Sequence, residues 1–110
     1  MNVRKHMRFP VQFQSLFSVA NQAVGEGMTL NISTGGCKIE SDSRVEPGTE
    51  LELHVHLPDQ APTLEIKRAA VSWSREREFG VKFLSMRTEE ELRLRLFLEP
   101  LQLGPPSDSN

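Results

Sequence analysis

Leu30-Asn31-Ile32-Ser33-Thr34-Gly35-Gly36-Cys37-Lys38-Ile39 is the stretch on which the reading of the fold turns. Apolar and polar residues alternate, run into a Ser-Thr-Gly-Gly cluster and resume beyond it, the pattern of two short strands closed by a tight turn. Pairing Ile32 with Cys37 and Leu30 with Ile39 would put all four side chains on one face, where cross-strand contacts stabilise a core. Alternation then sends Asn31 to the opposite face, with Ser33 on the same outward side. At the tip, Gly35 and Gly36 permit positive φ and let another group come close to the backbone. Such a tip offers amide N–H groups, a hydroxyl and a carboxamide to one small polar ligand.

Upstream, Met1 to Phe9 forms a basic arm carrying Arg4, Lys5, His6 and Arg8. Pro10 biases Phe9 toward extended backbone and argues against a helix through this point. Extended, Arg4 and Arg8 stand about 13 Å apart; wound as a helical turn, they would share a face. Either arrangement suits a ligand with separated negative groups, whereas taken alone such a cluster reads as a solvated tail. Val11, Phe13, Phe17 and Val19 then share one strand phase, with Gln12, Gln14 and Ser18 on the other. Asn21 to Gly27 reads as a turn into the opening hairpin.

Downstream, Asp42 to Thr49 holds a Pro47-Gly48 turn signal. Leu51, Leu53, Val55 and Leu57 alternate with Glu52, His54 and His56 as a half-buried strand, which Pro58 to Pro62 breaks. Between Leu64 and Trp73 the apolar phase slips, because Ala69, Val71 and Trp73 follow the parity opposite to Leu64 and Ile66. One extra residue at Lys67-Arg68 would restore the inward face, so a β-bulge is expected there. Trp73 then falls on the core phase; a place stacked on a ligand is the alternative. Arg75 to Glu78 reads as a solvated turn, and Phe79, Val81 and Phe83 as one more strand.

Thr88 with Glu91 matches a helix capping box, and the acidic first turn suits the helix dipole. The following leucines also alternate like a strand, but the start signal and a stop at Pro100 favour a helix. Its leucines cover more of the circumference than one barrel contact needs, which points to a second partner such as another copy of the chain. Short strands followed by one helix give a mainly β protein, a small antiparallel β-barrel with a C-terminal α-helix. The expected layout is a flexible arm over 1–9, a barrel plus helix over 10–99 and a disordered tail over 100–110.

The chain has 110 residues, a formal net charge of -2 and one cysteine. That is enough for a single core and argues against general polyanion or nucleic-acid binding. Cys37, on the inward phase, cannot form an intramolecular disulfide and fits a reducing compartment as a small buried hydrophobe. With no apolar run long enough to span a bilayer and no signal-peptide pattern, the expectation is a soluble cytoplasmic protein without a membrane partner.

Arg4-Lys5-His6-Met7-Arg8 and Asn31-Ile32-Ser33-Thr34-Gly35-Gly36 together resemble the PilZ domain, a bacterial receptor module for cyclic di-GMP. They match the R-x-x-x-R and D/N-x-S-x-x-G signatures in the family's order. The similarity extends to Val71-Ser72-Trp73 and Gly80-Val81-Lys82-Phe83. The resemblance implies a six-stranded barrel with the ligand on its outer surface and the arginine arm folding over it. It implies that Arg4 and Arg8 hold phosphates and guanine edges, that Asn31 and Ser33 contact a guanine and the phosphate side, and that Gly36 keeps the turn open. It further implies a downstream protein as partner, and a ligand rather than a cofactor.

Two other readings are distinguishable. A PilZ-like adaptor that binds protein but not nucleotide would share the fold. A metal-dependent hydrolase could use His54, His56 and Asp59, two imidazoles on one outward strand face with a carboxylate nearby. The aspartate is displaced from the usual metallo-hydrolase run and its final histidine is absent, so no metal site and no catalytic residue are expected.

Overall fold

Six strands and one helix account for the regular structure of the computed structural model, which describes residues 7–19, 23–58 and 62–103. The strands are β1 (Phe9–Val19), β2 (Ala23–Ile32), β3 (Gly36–Ser41), β4 (Glu50–Val55), β5 (Leu64–Arg75) and β6 (Glu78–Ser85), followed by α1 (Thr88–Leu103). Every pairing is antiparallel, and the order β1-β2-β3-β6-β5-β4 closes on itself as a barrel. Closure leaves no unpaired sheet edge. Arg4, Lys5 and His6 of the arm, Asp59, and the tail beyond Leu103 lie outside the described residues.

The inward phases build the core as alternation requires. Ile32, Cys37, Ile39, Leu53, Val55, Leu64, Ile66, Phe79 and Val81 are all buried. Phe17 and Phe79 meet edge to face with centroids 5.4 Å apart, a favourable aromatic geometry. On β5 the expected bulge is present: Leu53 pairs with Ile66 but Leu51 with Ala69, so Lys67-Arg68 carries the extra residue. Burial of both Ile66 and Ala69 shows the inward face restored.

Other expectations are corrected. The turn between β1 and β2 is shorter than Asn21 to Gly27, because β2 already begins at Ala23. Glycine in that strand leaves room for the Phe17 ring at Gly25 and for Ile39 and Glu40 at Gly27. Leu30 does not pair with Ile39. A register shift makes Leu30 the extra residue of β2, and Thr29 takes the inward place opposite Ile39. Thr29 is buried with its hydroxyl 2.6 Å from that of Ser15, so each satisfies the other. Trp73 is not in the core. A second shift between Val71 and Trp73 turns the indole out over Gly80, where it is 41% exposed.

Gly48 adopts φ 92°, and the Thr49 N–H bonds the Glu46 carbonyl, so Pro47-Gly48 forms the turn its residue types predict. The helix begins at Thr88 itself, so its cap falls one residue earlier than expected: Glu90 and Glu91 both donate to the Arg87 carbonyl, which makes Arg87 the cap position. It also runs through Pro100 to Leu103, and only three residues follow the lost backbone donor. Leu94 and Leu98 face the barrel, and Phe97 meets Phe13 edge to face. Leu92 and Leu96 stay outside at 44% and 53% exposure, the second apolar stripe that the leucine spacing predicts. No helix among the described residues is long and apolar enough to cross a membrane.

Candidate functional site

The Asn31 side chain stands on the outer face of β2, and Arg8, just before β1, reaches it. The Arg8 Nη1–H donates to Asn31 Oδ1 at 2.9 Å, joining the two sequence motifs directly. Arg8 is exposed, and its Nη2 lies 3.5 Å from where a Cβ on Gly36 would sit. Arg8, Asn31 and Gly36 are thus brought together. Arg4 falls outside the described residues.

Ser33 is placed differently from its expected outward position. β2 ends at Ile32, so strand alternation no longer governs the next residue. Ser33 is 0% exposed, and its Oγ accepts the N–H groups of Gly35 at 3.0 Å and Gly36 at 3.1 Å. The Ser33 N–H in turn donates to the Gly36 carbonyl at 2.9 Å. The hydroxyl therefore holds the turn in shape from within, a local side-chain-to-backbone motif typical of serine. The glycines also serve another purpose than positive φ, which neither adopts. A Cβ on Gly36 would run into the Val81 carbonyl, so glycine is required for β3 to lie against β6 at that point.

Cross-strand register sets what surrounds the turn. Pro10, Asn31, Lys38, Gly80 and Trp73 form one row across β1, β2, β3, β6 and β5. A second row runs Gly36, Lys82, Ala70 and Glu50. Trp73 thus stands on the same outer face as Asn31, three strands away, or about 14 Å at normal strand spacing. Alternation alone misses it; the glycine opposite it in β6 is the signal that would have found it. Lys38 is tied to Glu78 at 3.5 Å. Beyond the turn, Thr34 and the end of β6 share a cleft of about 260 Å³ with Leu94 and Arg95 of α1.

A larger groove of about 620 Å³ lies elsewhere on the outer surface, lined in part by Leu16, Glu26, Met28, Glu40 and His54. Its carboxylates disfavour an anionic ligand, so size does not identify the site here. Among the described residues no candidate metal-holding group contains both His54 and His56, and Asp59 lies outside them. Instead His54 Nε2 meets Glu52 Oε2 at 3.1 Å, and Glu52, His54 and Glu65 place their donor atoms within 4.8 Å of one another. Contact with Glu65 first, then with His54, holds the Glu52 carboxyl below its usual range against the opposing effect of burial. Lys67 lies 3.8 Å from Glu65, which makes the group a cross-strand charge cluster. Burial pushes the Cys37 thiol up to about 12, so it is an inert core residue.

Comparison with known proteins agrees with this geometry. A search of curated proteins finds no match. Among solved structures, the fold is similar to the Bacillus subtilis inhibitor of motility MotI/DgrA, with TM-score 0.75 and 19% identity over 94% of this chain and 53% of that one. It is also similar to the PilZ domain of YcgR from Escherichia coli with c-di-GMP, with TM-score 0.73 and 14% identity over 99% of this chain and 100% of that domain. The crystal structure of YcgR in complex with c-di-GMP gives TM-score 0.76 and 15% identity over 96% of this chain and 49% of that one. The chain therefore spans about half the length of MotI and of YcgR. The family model of the PilZ domain matches residues 2–99, nearly the whole barrel and helix, and on that match the chain belongs to the PilZ domain family.

Proposed function

We propose that this domain is a cyclic di-GMP receptor in which the arginine arm and the β2–β3 turn grip one ligand on the outer surface of the barrel. The observation that carries this reading is the meeting of Arg8 with Asn31 beside Gly36, which joins the two segments on which family recognition rests. A guanidinium offers paired donors that match phosphate oxygens or the O6/N7 edge of guanine, and it also stacks on a base. Arg4 and Arg8 hold phosphate and guanine edges. Asn31 contacts a guanine, and Ser33 acts through the backbone amides it positions at Gly35 and Gly36. The role is regulatory rather than catalytic.

Ordering residues 1–9 over the ligand costs conformational entropy, and that cost is what makes the arm a switch. Its closure changes the surface offered to a downstream protein. The cleft shared by Thr34 and α1 supports a path from turn to helix. The exposed Leu92 and Leu96 are the surface on which that protein, or a second copy of the chain, docks. Calorimetric titration with cyclic di-GMP tests the reading on the parent chain and on Arg4→Ala and Arg8→Ala. Saturable heat that weakens in both variants supports it; no heat from the parent overturns it.

A further inference from the structure

Lys82 sits on the outer face of β6, directly opposite Gly36 of the turn and flanked on its other side by Ala70. Neither neighbour has a polar side chain. Along its own strand the outward neighbours are Gly80 and Leu84. Two carboxylates on neighbouring strand positions are already engaged: Glu78 with Lys38, and Glu50 with both Arg68 Nε at 3.1 Å and Arg68 Nη2 at 3.0 Å. Of the lysines among the described residues, Lys38 and Lys67 each rest on a carboxylate, and Lys82 does not. Arg8 stands over the same glycine and has Asn31, a neutral group, as its partner. Two cations with no carboxylate partner among the described residues therefore flank one turn, in a chain whose net charge is -2. Between them Gly36 and Ala70 present almost no side chain, and the Trp73 indole, which covers Gly80, forms the far wall.

Like charges held side by side repel unless an anion lies between or across them. A cyclic dinucleotide carries two phosphates, and Arg8 stands on the β2 side of this surface. We infer that Lys82 is a further ligand-binding residue of this domain, taking the phosphate remote from Arg8 so that the nucleotide lies beside the Gly36 turn and toward Trp73. This rests on the receptor reading above and adds to it a residue outside both arginine and turn motifs. Lysine suits the place: a single flexible point charge meets a phosphate without demanding a fixed base edge.

The test is calorimetric titration of cyclic di-GMP into the intact chain and its Lys82→Ala, Lys82→Arg and Lys67→Ala variants. Lys67→Ala removes the same charge at a site paired with Glu65. The expected result is about tenfold weaker binding for Lys82→Ala, near-parental binding for Lys82→Arg and for Lys67→Ala, and an unchanged unfolding midpoint throughout. Equal affinity of Lys82→Ala and the parent, or equal losses in Lys82→Ala and Lys67→Ala, overturns the role of Lys82 and leaves the receptor reading standing. A parent chain that gives no heat overturns the receptor reading and this inference with it.

Discussion

Arg8 and Asn31 lie 23 positions apart in the chain, and the guanidinium of one donates to the carboxamide of the other at 2.9 Å. An exposed hydrogen bond of this kind contributes little to folding, so its groups can be redirected to a ligand at small cost. Hydrogen bonds to a charged group are worth roughly 1.5–3 kcal/mol. Arg8→Ala is expected to weaken cyclic di-GMP binding by about ten- to a hundredfold and Asn31→Ala by less, at about 1.4 kcal/mol per decade. Denaturant midpoints should stay near the parent value in both, and a large drop would mean that the pair is structural.

Ser33 tests the turn from inside. Its removal leaves the Gly35 and Gly36 amides without their acceptor in a turn whose Ser33 and Gly36 are buried. Ser33→Ala is therefore expected to cost about 1–3 kcal/mol of stability, measured by urea unfolding, and to weaken ligand binding as the turn loosens. Parental stability together with weakened binding would instead mean that the hydroxyl touches the ligand directly.

The two close-packed glycines of the site should respond differently. A methyl at Gly36 meets backbone, the Val81 carbonyl, and is expected to cost about 1–3 kcal/mol. At Gly80 its nearest atoms are those of the Trp73 indole, a side chain that is 41% exposed and can move, so the loss of stability should be smaller than at Gly36. Trp73 is the sole tryptophan of the chain, so its emission reads the displacement alone. A shifted spectrum is expected for Gly80→Ala, and quenching on ligand binding is expected for the parent.

Cys37 gives a pH signature with a definite sign. The folded thiol holds its proton up to about 12, whereas the exposed thiol of the unfolded chain releases it near 9.0. The unfolded state therefore binds fewer protons between these values, and stability falls as pH rises, by about 1.4 kcal/mol per unit from this residue. Comparing the pH dependence of urea unfolding for Cys37→Ala and the parent isolates this contribution. At neutral pH, a disulfide reagent should label Cys37 only as fast as the barrel opens.

Where the chain obeys strict alternation, the fold was legible. The inward positions of β4 and β6 follow parity, and even the β5 bulge shows as a slip between Ile66 and Ala69. The shift that turns Trp73 outward leaves no such trace, because Val71 and Trp73 keep one parity while the pairing changes beneath them. Leu30 misleads for a related reason: apolarity suggests burial, yet the buried place goes to Thr29, whose hydroxyl has a partner in Ser15 that lies 14 residues away. Of the site, Asn31 followed from alternation and Arg8 from its motif, but Ser33 did not, since a turn begins where the strand rule ends. Lys82 belongs to neither signature, only to the wider similarity over Gly80-Val81-Lys82-Phe83, which assigns it no role. It emerges only once the register sets it opposite Gly36.

Amide hydrogen exchange on the intact chain, with and without saturating cyclic di-GMP, tests most directly whether arm and turn close on a single nucleotide. Slowed exchange is predicted in residues 2–9 and 31–36 together, with the far strands unchanged. Heat of binding accompanied by unaltered exchange in both segments would contradict the account.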